Sequence, residues 1–229
     1  MNNLGTLMTW PEWRVFNIKN IPVQITMDKF VVEFPNVLTE ELCQSIVNRF
    51  ENDTRKTKGY FYYRLNGELV TRDKTNMELS TTGVEGWQDI EAILHNKCWE
   101  VFNEYMRLLK HTFDYGVDNH VYDRELNDSN NMYNTNFPIQ RIDEGGSYEW
   151  HHDGNSTKTY FVQLIFYLNT LEDHQGGCTE FINGRKVKPE AGKVLVYPCS
   201  WTFPHTGAEV KHGSKYITTT TIGFVNPTP

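Results

Sequence analysis

The sequence lacks the features that mark membrane-spanning, secreted and nucleic-acid-binding proteins. No stretch of the 229 residues approaches the roughly 20 apolar residues that a membrane-spanning helix needs. The segment Met1-Asn2-Asn3-Leu4-Gly5 has neither the basic nor the apolar region of a signal peptide. Basic residues are in the minority, with 22 Lys and Arg against 29 Asp and Glu, whereas a phosphate-binding surface needs a net basic face. We therefore expect a cytoplasmic protein that binds neither membranes nor nucleic acids.

Cysteine is scarce and widely scattered. The four cysteines, Cys43, Cys98, Cys178 and Cys199, form no CxxC pair, which argues against a structural zinc site. Their spacing does not resemble a disulfide framework, so a reducing compartment is the simpler interpretation. The chain also lacks internal repeats and low-complexity tracts, and its length suits one β-rich domain over residues 1–229.

Two helical patterns are present in the N-terminal half. Thr39 is a good N-cap for a helix whose apolar face is formed by Leu42, Ile46 and Phe50 at four-residue steps. A second apolar stripe predicts a helix from about Trp87 to Leu109. Both are interpreted as helices packed against a sheet.

The C-terminal half changes to the period-two pattern of β-strands. The segment from Tyr160 to Asn169 is almost continuously apolar and aromatic, which is typical of a strand buried on both faces. Asn183-Gly184 is a strong hairpin signal, and a threonine-rich strand is predicted from Tyr216 to Val225. Short strands at this spacing, separated by turn residues, predict a β-sandwich or a double-sheet jelly roll.

The domain is therefore predicted to be mainly β (α+β) and to have three consecutive parts. Residues 1–113 form a support region of helix and strand. Residues 137–229 form the jelly-roll core, which also contains the candidate metal ligands described next. Between them, residues 114–136 are polar, rich in Asn, Asp and Tyr, and without periodicity. A loop of that length is often a functional lid, and a disordered insertion is the alternative.

His151 and Asp153 are the first candidate metal ligands. Alternate residues of a strand point to the same side, so in an extended His151-His152-Asp153 segment the first and third side chains converge and His152 faces away. Two imidazoles and one carboxylate suit Fe(II), Mn or Zn. Three protein ligands leave coordination positions open, whereas a structural zinc site fills four.

Three histidines further along the chain are candidates for the third ligand. His205 follows a predicted strand and precedes Thr206-Gly207, which places it in a turn at a strand end, as expected at the mouth of a jelly roll. His174 and His212 lie in polar loops and are predicted to face solvent. Lys215 opens the last strand. A buried lysine is costly unless it is paired, and a co-substrate carboxylate is a suitable partner; a surface lysine is the alternative.

These motifs are similar in order and spacing to the prolyl 4-hydroxylase branch of the Fe(II)/2-oxoglutarate dioxygenases. The resemblance covers roughly Thr135 to Val225, and the helix that begins after Leu38 also resembles the entry helix of that branch. The sequence of residues 140–146 resembles that of phage-encoded or bacterial members. For a phage-encoded protein, the expected compartment is the host cytoplasm. The matching residues are Gly145, Tyr148, His151, Asp153, Gly176, Gly177, Thr179, Phe181, Lys188, Pro189, Gly192, His205, Gly207, Gly213 and Lys215.

The resemblance implies a double-stranded β-helix (jelly roll, cupin-like) core with N-terminal helices packed on the major sheet. It implies Fe(II), 2-oxoglutarate and O2 as cofactors, with ascorbate as the reductant. The implied reaction hydroxylates a C–H bond, in the first instance of a proline in a peptide or protein, and releases succinate and CO2. The implied metal ligands are His151, Asp153 and His205, and the implied 2-oxoglutarate-binding residues are Lys215, Tyr167 and Thr219.

One position departs from the family pattern, and several alternatives stay open. Many relatives carry a tyrosine nine or ten residues before the first ligand, where Ile142 and Arg141 stand here, so other residues must complete the co-substrate pocket. Trp150 and Trp201 flank the ligands and belong either to the core or to a substrate cleft. The alternative substrates are a free amino acid or a small metabolite. The alternative classes are a non-catalytic cupin-like metal or ligand binder and a zinc-dependent hydrolase.

Overall fold

The computed structural model describes residues 24–25, 29–65, 68–112, 131–154 and 159–225. Within these ranges the chain forms two α-helices, α1 (Glu40–Asn52) and α2 (Gln88–Thr112), and a short 3-10 turn at Asp173–Gln175. The strands, in chain order, are β1 (Gln24–Ile25), β2 (Val32–Phe34), β3 (Thr57–Leu65), β4 (Glu68–Ser80), β5 (Met132–Asn134), β6 (Pro138–Asp143), β7 (Tyr148–His151), β8 (Tyr160–Tyr167), β9 (Thr179–Phe181), β10 (Lys186–Val187), β11 (Val194–Pro198), β12 (His205–Gly207) and β13 (Ser214–Phe224).

Both helices lie where the sequence predicts them. Thr39 caps α1, because its Oγ1 accepts a hydrogen bond of 3.2 Å from the backbone N–H of Leu42. Ile46 and Phe50 are fully buried, as their four-residue spacing indicates. Helix α2 is slightly longer at its C-terminal end than the predicted span, and its apolar stripe packs in the same core.

Among the described residues, nine strands form a major sheet and four form a minor sheet. The order of the major sheet is β1-β2-β11-β8-β13-β6-β4-β3, with β5 also paired to β13, and the order of the minor sheet is β10-β9-β12-β7. Neighbouring strands such as β6, β13 and β8 run antiparallel although the chain does not connect them in that order. This crossing arrangement is that of a jelly roll, which confirms the predicted fold class.

Strand β8 is largely buried on both faces, as its continuous apolar pattern predicts. Leu164 and Phe166 pack with α1 and α2 in one core, whereas Ile165 and Tyr167 point between the two sheets. Strand β11 alternates in the same way. The N-terminal helices therefore cover the outer face of the major sheet, and its inner face is left to form the site described below.

The long hairpin of β3 and β4 is an addition to the predicted architecture. It extends the major sheet beyond β6, with Glu78 opposite Gln140 and Leu79 opposite Ile139. The dipeptide Asn66-Gly67, which separates the two strands in the sequence, is the same hairpin signal as the one noted near β10. The sequence therefore contained the signal for this hairpin.

Strand β5 corrects the predicted loop at residues 114–136. Met132–Asn134 pairs with the end of β13, and Met132 is buried in the helix-side core. The packing of one methionine thus extends the sheet into a polar segment that shows no strand periodicity. Residues 114–130 lie outside the described residues, so the role of the loop as a lid stays a prediction. No helix in the described ranges has the length and apolar character to cross a membrane.

Candidate metal centre and its cavity

His151 and His205 lie opposite each other on neighbouring strands of the minor sheet. His151 ends β7, and its Cα partner on β12 is His205. Asp153 follows two residues later, where the chain leaves the strand. The potential ligand atoms of the three residues all lie within 4.8 Å of one another. Asp153 Oδ1 is 3.6 Å from His151 Nε2, and Asp153 Oδ2 is 3.6 Å from His205 Nε2. The structure therefore brings the three predicted ligands to one point.

Backbone carbonyl groups determine which nitrogen of each imidazole is available to a metal. His151 Nδ1 lies 2.7 Å from the carbonyl oxygen of Glu149, and His205 Nδ1 lies 3.1 Å from that of Phe203. Since a carbonyl oxygen only accepts, each Nδ1 must donate its proton there. Each Nε2 then carries a lone pair in the neutral ring, which is the form that binds metal ions. Burial lowers the pKa of His205 and so favours this neutral form.

Asp153 provides the test of whether a cation fits among these ligands. Its Oδ2 is buried and has no hydrogen-bond partner in the described part of the chain. Burial raises the pKa of this carboxyl, but the neighbouring imidazoles of His151 and His205 hold it below its usual value. An ionised oxygen buried without a partner is costly, and a divalent cation shared with two imidazoles removes that cost. The residues present therefore fit an Fe(II) ion, with coordination positions left open.

A cavity of about 580 Å³ opens beside the candidate ligands. Its walls come from the facing surfaces of the two sheets, with Gln140 and Gln163 on the major sheet and Tyr148 on the minor sheet. This volume lies within the range of roughly 300–1,000 Å³ that is common for small-molecule sites. Lys215 lines the same cavity, so one continuous space connects the metal ligands with a buried ammonium group.

Lys215 is buried and has the surroundings expected of an anion-binding group. It is only 5% exposed, and its Nζ donates a hydrogen bond of 2.6 Å to the carbonyl oxygen of Gly177. The same Nζ lies 5.5 Å from the centroid of the Tyr167 ring. Burial lowers the pKa of this lysine to about 8. In the described ranges no carboxylate lies within ion-pair distance of it, so a dicarboxylate entering the cavity would supply its counter-charge.

The Gly176-Gly177 motif explains how this carbonyl reaches Lys215. Gly177 has φ +72°, a conformation that favours glycine, and a Cβ atom there would lie 2.7 Å from Leu171 Cδ1. The positive φ is strained for other residues, so glycine suits this conformation. The pattern that appears in the sequence as a turn thus also supplies the carbonyl group that holds Lys215.

Tyr167 lies near Lys215, whereas Thr219 is four residues further along the same strand. Thr219 is on the cavity wall, two residues beyond Ile217 on β13. Tyr167 is fully buried beneath the cavity, and its hydroxyl lies 2.7 Å from Thr179 Oγ1. The roles of these residues in binding 2-oxoglutarate, and those of the three metal ligands, stay predictions.

The two other candidate histidines are not part of the centre. His174 and His212 are exposed, with their rings 6.3 Å apart, and His212 lies 3.8 Å from the carboxylate of Glu144. Trp150 and Trp201 are not core residues, since they are 55% and 75% exposed.

The structure shows what stands at the position where the family pattern has a tyrosine. Ile142 lines the cavity, whereas Arg141 points away from it and pairs with Glu51 at 2.8 Å. An apolar side chain thus replaces the family tyrosine on the cavity wall. Amide and hydroxyl groups that border the same space, from Gln140 and Tyr148, are the residues in place to complete the polar part of the pocket.

One residue of the centre was absent from the sequence-based prediction. Tyr197 is on β11, next to Gln163 of β8, and its hydroxyl lies 2.9 Å from His205 Nε2. The β11 segment has the appearance of an ordinary buried strand. Its period of two indicates that Tyr197 and Leu195 point to the same side, but only the closure of the two sheets brings that side to the metal ligands.

The comparisons with known proteins agree with this geometry. Residues 137–222 match the model of the 2OG-Fe(II) oxygenase superfamily. No curated protein matches the chain. Among solved structures, the viral collagen prolyl hydroxylase of Paramecium Bursaria Chlorella virus-1, in complex with 2OG, is 17% identical, with a TM-score of 0.55, and the match covers 86% of this chain and 96% of that chain.

Two further solved structures have the same fold. A Trichoplax adhaerens prolyl hydroxylase in complex with a hypoxia inducible factor peptide fragment is 15% identical, with a TM-score of 0.59, over 85% of this chain and 83% of that chain. A Pseudomonas putida prolyl-4-hydroxylase is 13% identical, with a TM-score of 0.51, over 90% and 95%. At these identities the similarity concerns the fold. Residues 137–222 thus match the 2OG-Fe(II) oxygenase superfamily model, and the fold is that of the three prolyl hydroxylases.

Proposed function

We propose that this oxygenase hydroxylates a C–H bond of a proline in a peptide or protein, with His151, Asp153 and His205 holding Fe(II) and Lys215 binding 2-oxoglutarate. The observation that carries the proposal is one cavity with three convergent ligand side chains at one place and, at another, a buried ammonium group that has no carboxylate partner among the described residues. When bound, Fe(II) supplies the chemistry by which O2 converts 2-oxoglutarate to succinate and CO2 while one oxygen atom enters the substrate C–H bond.

The protein contributes binding, orientation and the exclusion of water. The backbone carbonyls beside Nδ1 of His151 and His205 favour the tautomer in which each Nε2 can bind a metal. Lys215 is held by Gly177, which fixes the direction of its ammonium group. A dicarboxylate anchored there is oriented along the cavity, with its other end towards the metal ligands.

The identity of the substrate is supported by the relatives. Three solved structures of this fold are prolyl hydroxylases, and one of them is in complex with a peptide fragment. Trp150 and Trp201 add exposed aromatic surface next to the metal-ligand segments, and aromatic side chains suit contacts with proline-containing peptides. Ascorbate as the reductant and a cytoplasmic location are part of the same proposal.

The first experiment distinguishes the oxygenase from a metal binder or a zinc hydrolase. The protein is mixed anaerobically with Fe(II) and 2-oxoglutarate, and the visible spectrum is recorded. A weak charge-transfer band is expected only if both bind at one centre. Tight binding of zinc together with the absence of that band would exclude the oxygenase.

The second experiment tests the substrate. Peptides with and without proline, and free amino acids as the comparison, are incubated with Fe(II), 2-oxoglutarate, O2 and ascorbate and analysed by mass spectrometry. A gain of one oxygen on proline, matched by succinate formation, is expected. Oxygen gained by a free amino acid instead, with no peptide modified, would replace the proposed substrate and leave the oxygenase assignment in place.

A further inference from the structure

Tyr197 has a buried hydroxyl group at the centre of the metal site. The residue is 1% exposed, and its ring packs against Phe181 at 5.1 Å and against His205 at 4.7 Å between ring centroids. Two aromatic contacts on this scale hold the ring in place between the sheets. The hydroxyl can therefore reach only the groups that surround the ligands.

That hydroxyl now donates to a metal-ligand atom. His205 Nδ1 gives its proton to the carbonyl of Phe203, so Nε2 presents a lone pair, and Tyr197 Oη lies 2.9 Å from it. A metal ion bound by His205 must take the same lone pair. The phenol then loses its acceptor, and a buried donor without an acceptor is costly.

A second acceptor without a partner is available at the same centre. Asp153 Oδ2 is buried, has no hydrogen bond within the described ranges, and lies 3.6 Å from the nitrogen that Tyr197 now contacts. A carboxylate that binds a metal through one oxygen leaves the other in need of a donor. Once a cation is bound, the Tyr197 hydroxyl therefore lacks an acceptor and Asp153 Oδ2 lacks a donor.

We propose that Tyr197 is a positioning residue of the metal centre, whose hydroxyl moves from His205 Nε2 to the free oxygen of Asp153 when a divalent cation binds. The inference rests on the metal site of the proposed function. It means that the phenol holds the ligands together before metal binding and afterwards keeps Asp153 bound through a single oxygen. The remaining coordination positions are thereby kept open for the co-substrate and O2.

The test is the binding of Mn(II) and Co(II), each alone, to the wild-type protein and to Tyr197→Phe. Loss of an outer hydrogen bond to a ligand lowers metal affinity by about 10- to 100-fold, and we expect an increase of that size in the dissociation constant. The visible d–d absorption of Co(II) should also change, because Asp153 without its donor turns its second oxygen to the metal. This spectrum reports ligand geometry and does not depend on turnover.

Tyr105→Phe is the matched control. Tyr105 is also buried, and its hydroxyl donates a hydrogen bond of 2.9 Å to the carbonyl oxygen of Phe30, far from the ligands. It should bind both metals as the wild type does. The inference is overturned if Tyr197→Phe keeps wild-type affinity, if its Co(II) spectrum is unchanged, or if Tyr105→Phe loses as much affinity.

Asp153→Ala separates this inference from the proposed function. If the wild type takes up neither ion, the metal site itself is wrong and the role of Tyr197 is overturned with it. If Asp153→Ala abolishes uptake while Tyr197→Phe binds as the wild type does, the metal site is supported and only the role of Tyr197 is overturned.

Discussion

The two faces of the major sheet are formed by the same strands and are nevertheless built for different purposes. On β13, Tyr216 and Ile222 point to the helices and pack in an apolar core, whereas Lys215, Ile217 and Thr219 point to the cavity. The alternation of one strand thus sends each neighbouring side chain to a different environment. The helix-facing side is filled by side chains, and the cavity-facing side is left partly empty.

This difference shows where the protein gives up stability for binding. The helix-facing core buries Phe34, Phe50 and Leu164 without exposure to solvent. The other face keeps an ammonium group without a counter-ion and a carboxylate oxygen without a hydrogen bond in the part of the chain that the structure describes. Unpaired buried charges are rare because they are costly, and proteins retain them mainly at functional sites.

The largest expected effect on the cavity side is that of Asp153→Ala. Loss of the only carboxylate among the three ligands should abolish succinate formation, because two imidazoles alone hold Fe(II) weakly. The fold should persist, since a buried charge is removed rather than an apolar contact. Succinate assays and thermal unfolding measure the two outcomes. The surface variant Asp143→Ala is the control and should keep its activity, since Asp143 pairs with Arg141. Turnover by Asp153→Ala would contradict the ligand assignment.

Lys215→Ala and Lys193→Ala compare two buried lysines. Lys215 lacks a carboxylate partner in the described ranges, whereas Lys193 pairs with Glu33 and Glu190, each at 2.9 Å. In the complex with 2-oxoglutarate, Lys215 would form a buried ion pair with the carboxylate of the co-substrate. Removing one member of a buried ion pair costs about 3–5 kcal/mol, so Lys215→Ala should raise the 2-oxoglutarate requirement by about 100-fold or more.

In stability the order of the two variants should be reversed, with Lys193→Ala the more strongly affected. Without 2-oxoglutarate, Lys215→Ala should unfold no more easily than the wild type, whereas Lys193→Ala should be destabilised and keep its 2-oxoglutarate requirement. Titrations of turnover and urea unfolding test both statements. An unchanged 2-oxoglutarate requirement in Lys215→Ala would remove its proposed role.

Leu164→Ala and Ile165→Ala compare the two faces directly at neighbouring positions of β8. Leu164 is fully buried in the helix-side core, and we expect its truncation to cost about 2–5 kcal/mol of unfolding free energy. Ile165 already borders the cavity, so its truncation adds to an existing space and should cost less than that range. Urea unfolding of both variants measures the difference. Equal losses would show that the two faces are packed alike.

The smallest expected effect is the pH dependence of 2-oxoglutarate binding. Burial lowers the pKa of Lys215 to about 8, and only the protonated form binds a carboxylate. Affinity should therefore be high below that pH and fall by about tenfold between about pH 7 and pH 9. Lys215→Arg, which stays charged over this range, should give a flatter profile. Cys178 is the neighbouring titratable group, and its raised pKa keeps it neutral at the lower pH. Identical profiles for the two proteins would contradict the assignment.

Much of this could be predicted because the signals are local. Thr39 and the spacing of Ile46 and Phe50 define α1, and the two-residue spacing of His151 and Asp153 predicts that their side chains converge. Local patterns fail where packing decides: Met132 extends the sheet into a segment without strand periodicity, and β3 and β4 lengthen it beyond the predicted core.

The sequence by itself determined the kinds of ligand, their order along the chain, and the alternation that assigns each side chain to a face. Only the tertiary structure decided that His205 lies opposite His151, that Tyr197 contacts it, and that Lys215 is buried without a carboxylate in the described ranges. The physical reason is that dihedral preferences and side-chain periodicity act over a few residues. The closure of two sheets depends on pairings between distant strands, which no short segment specifies.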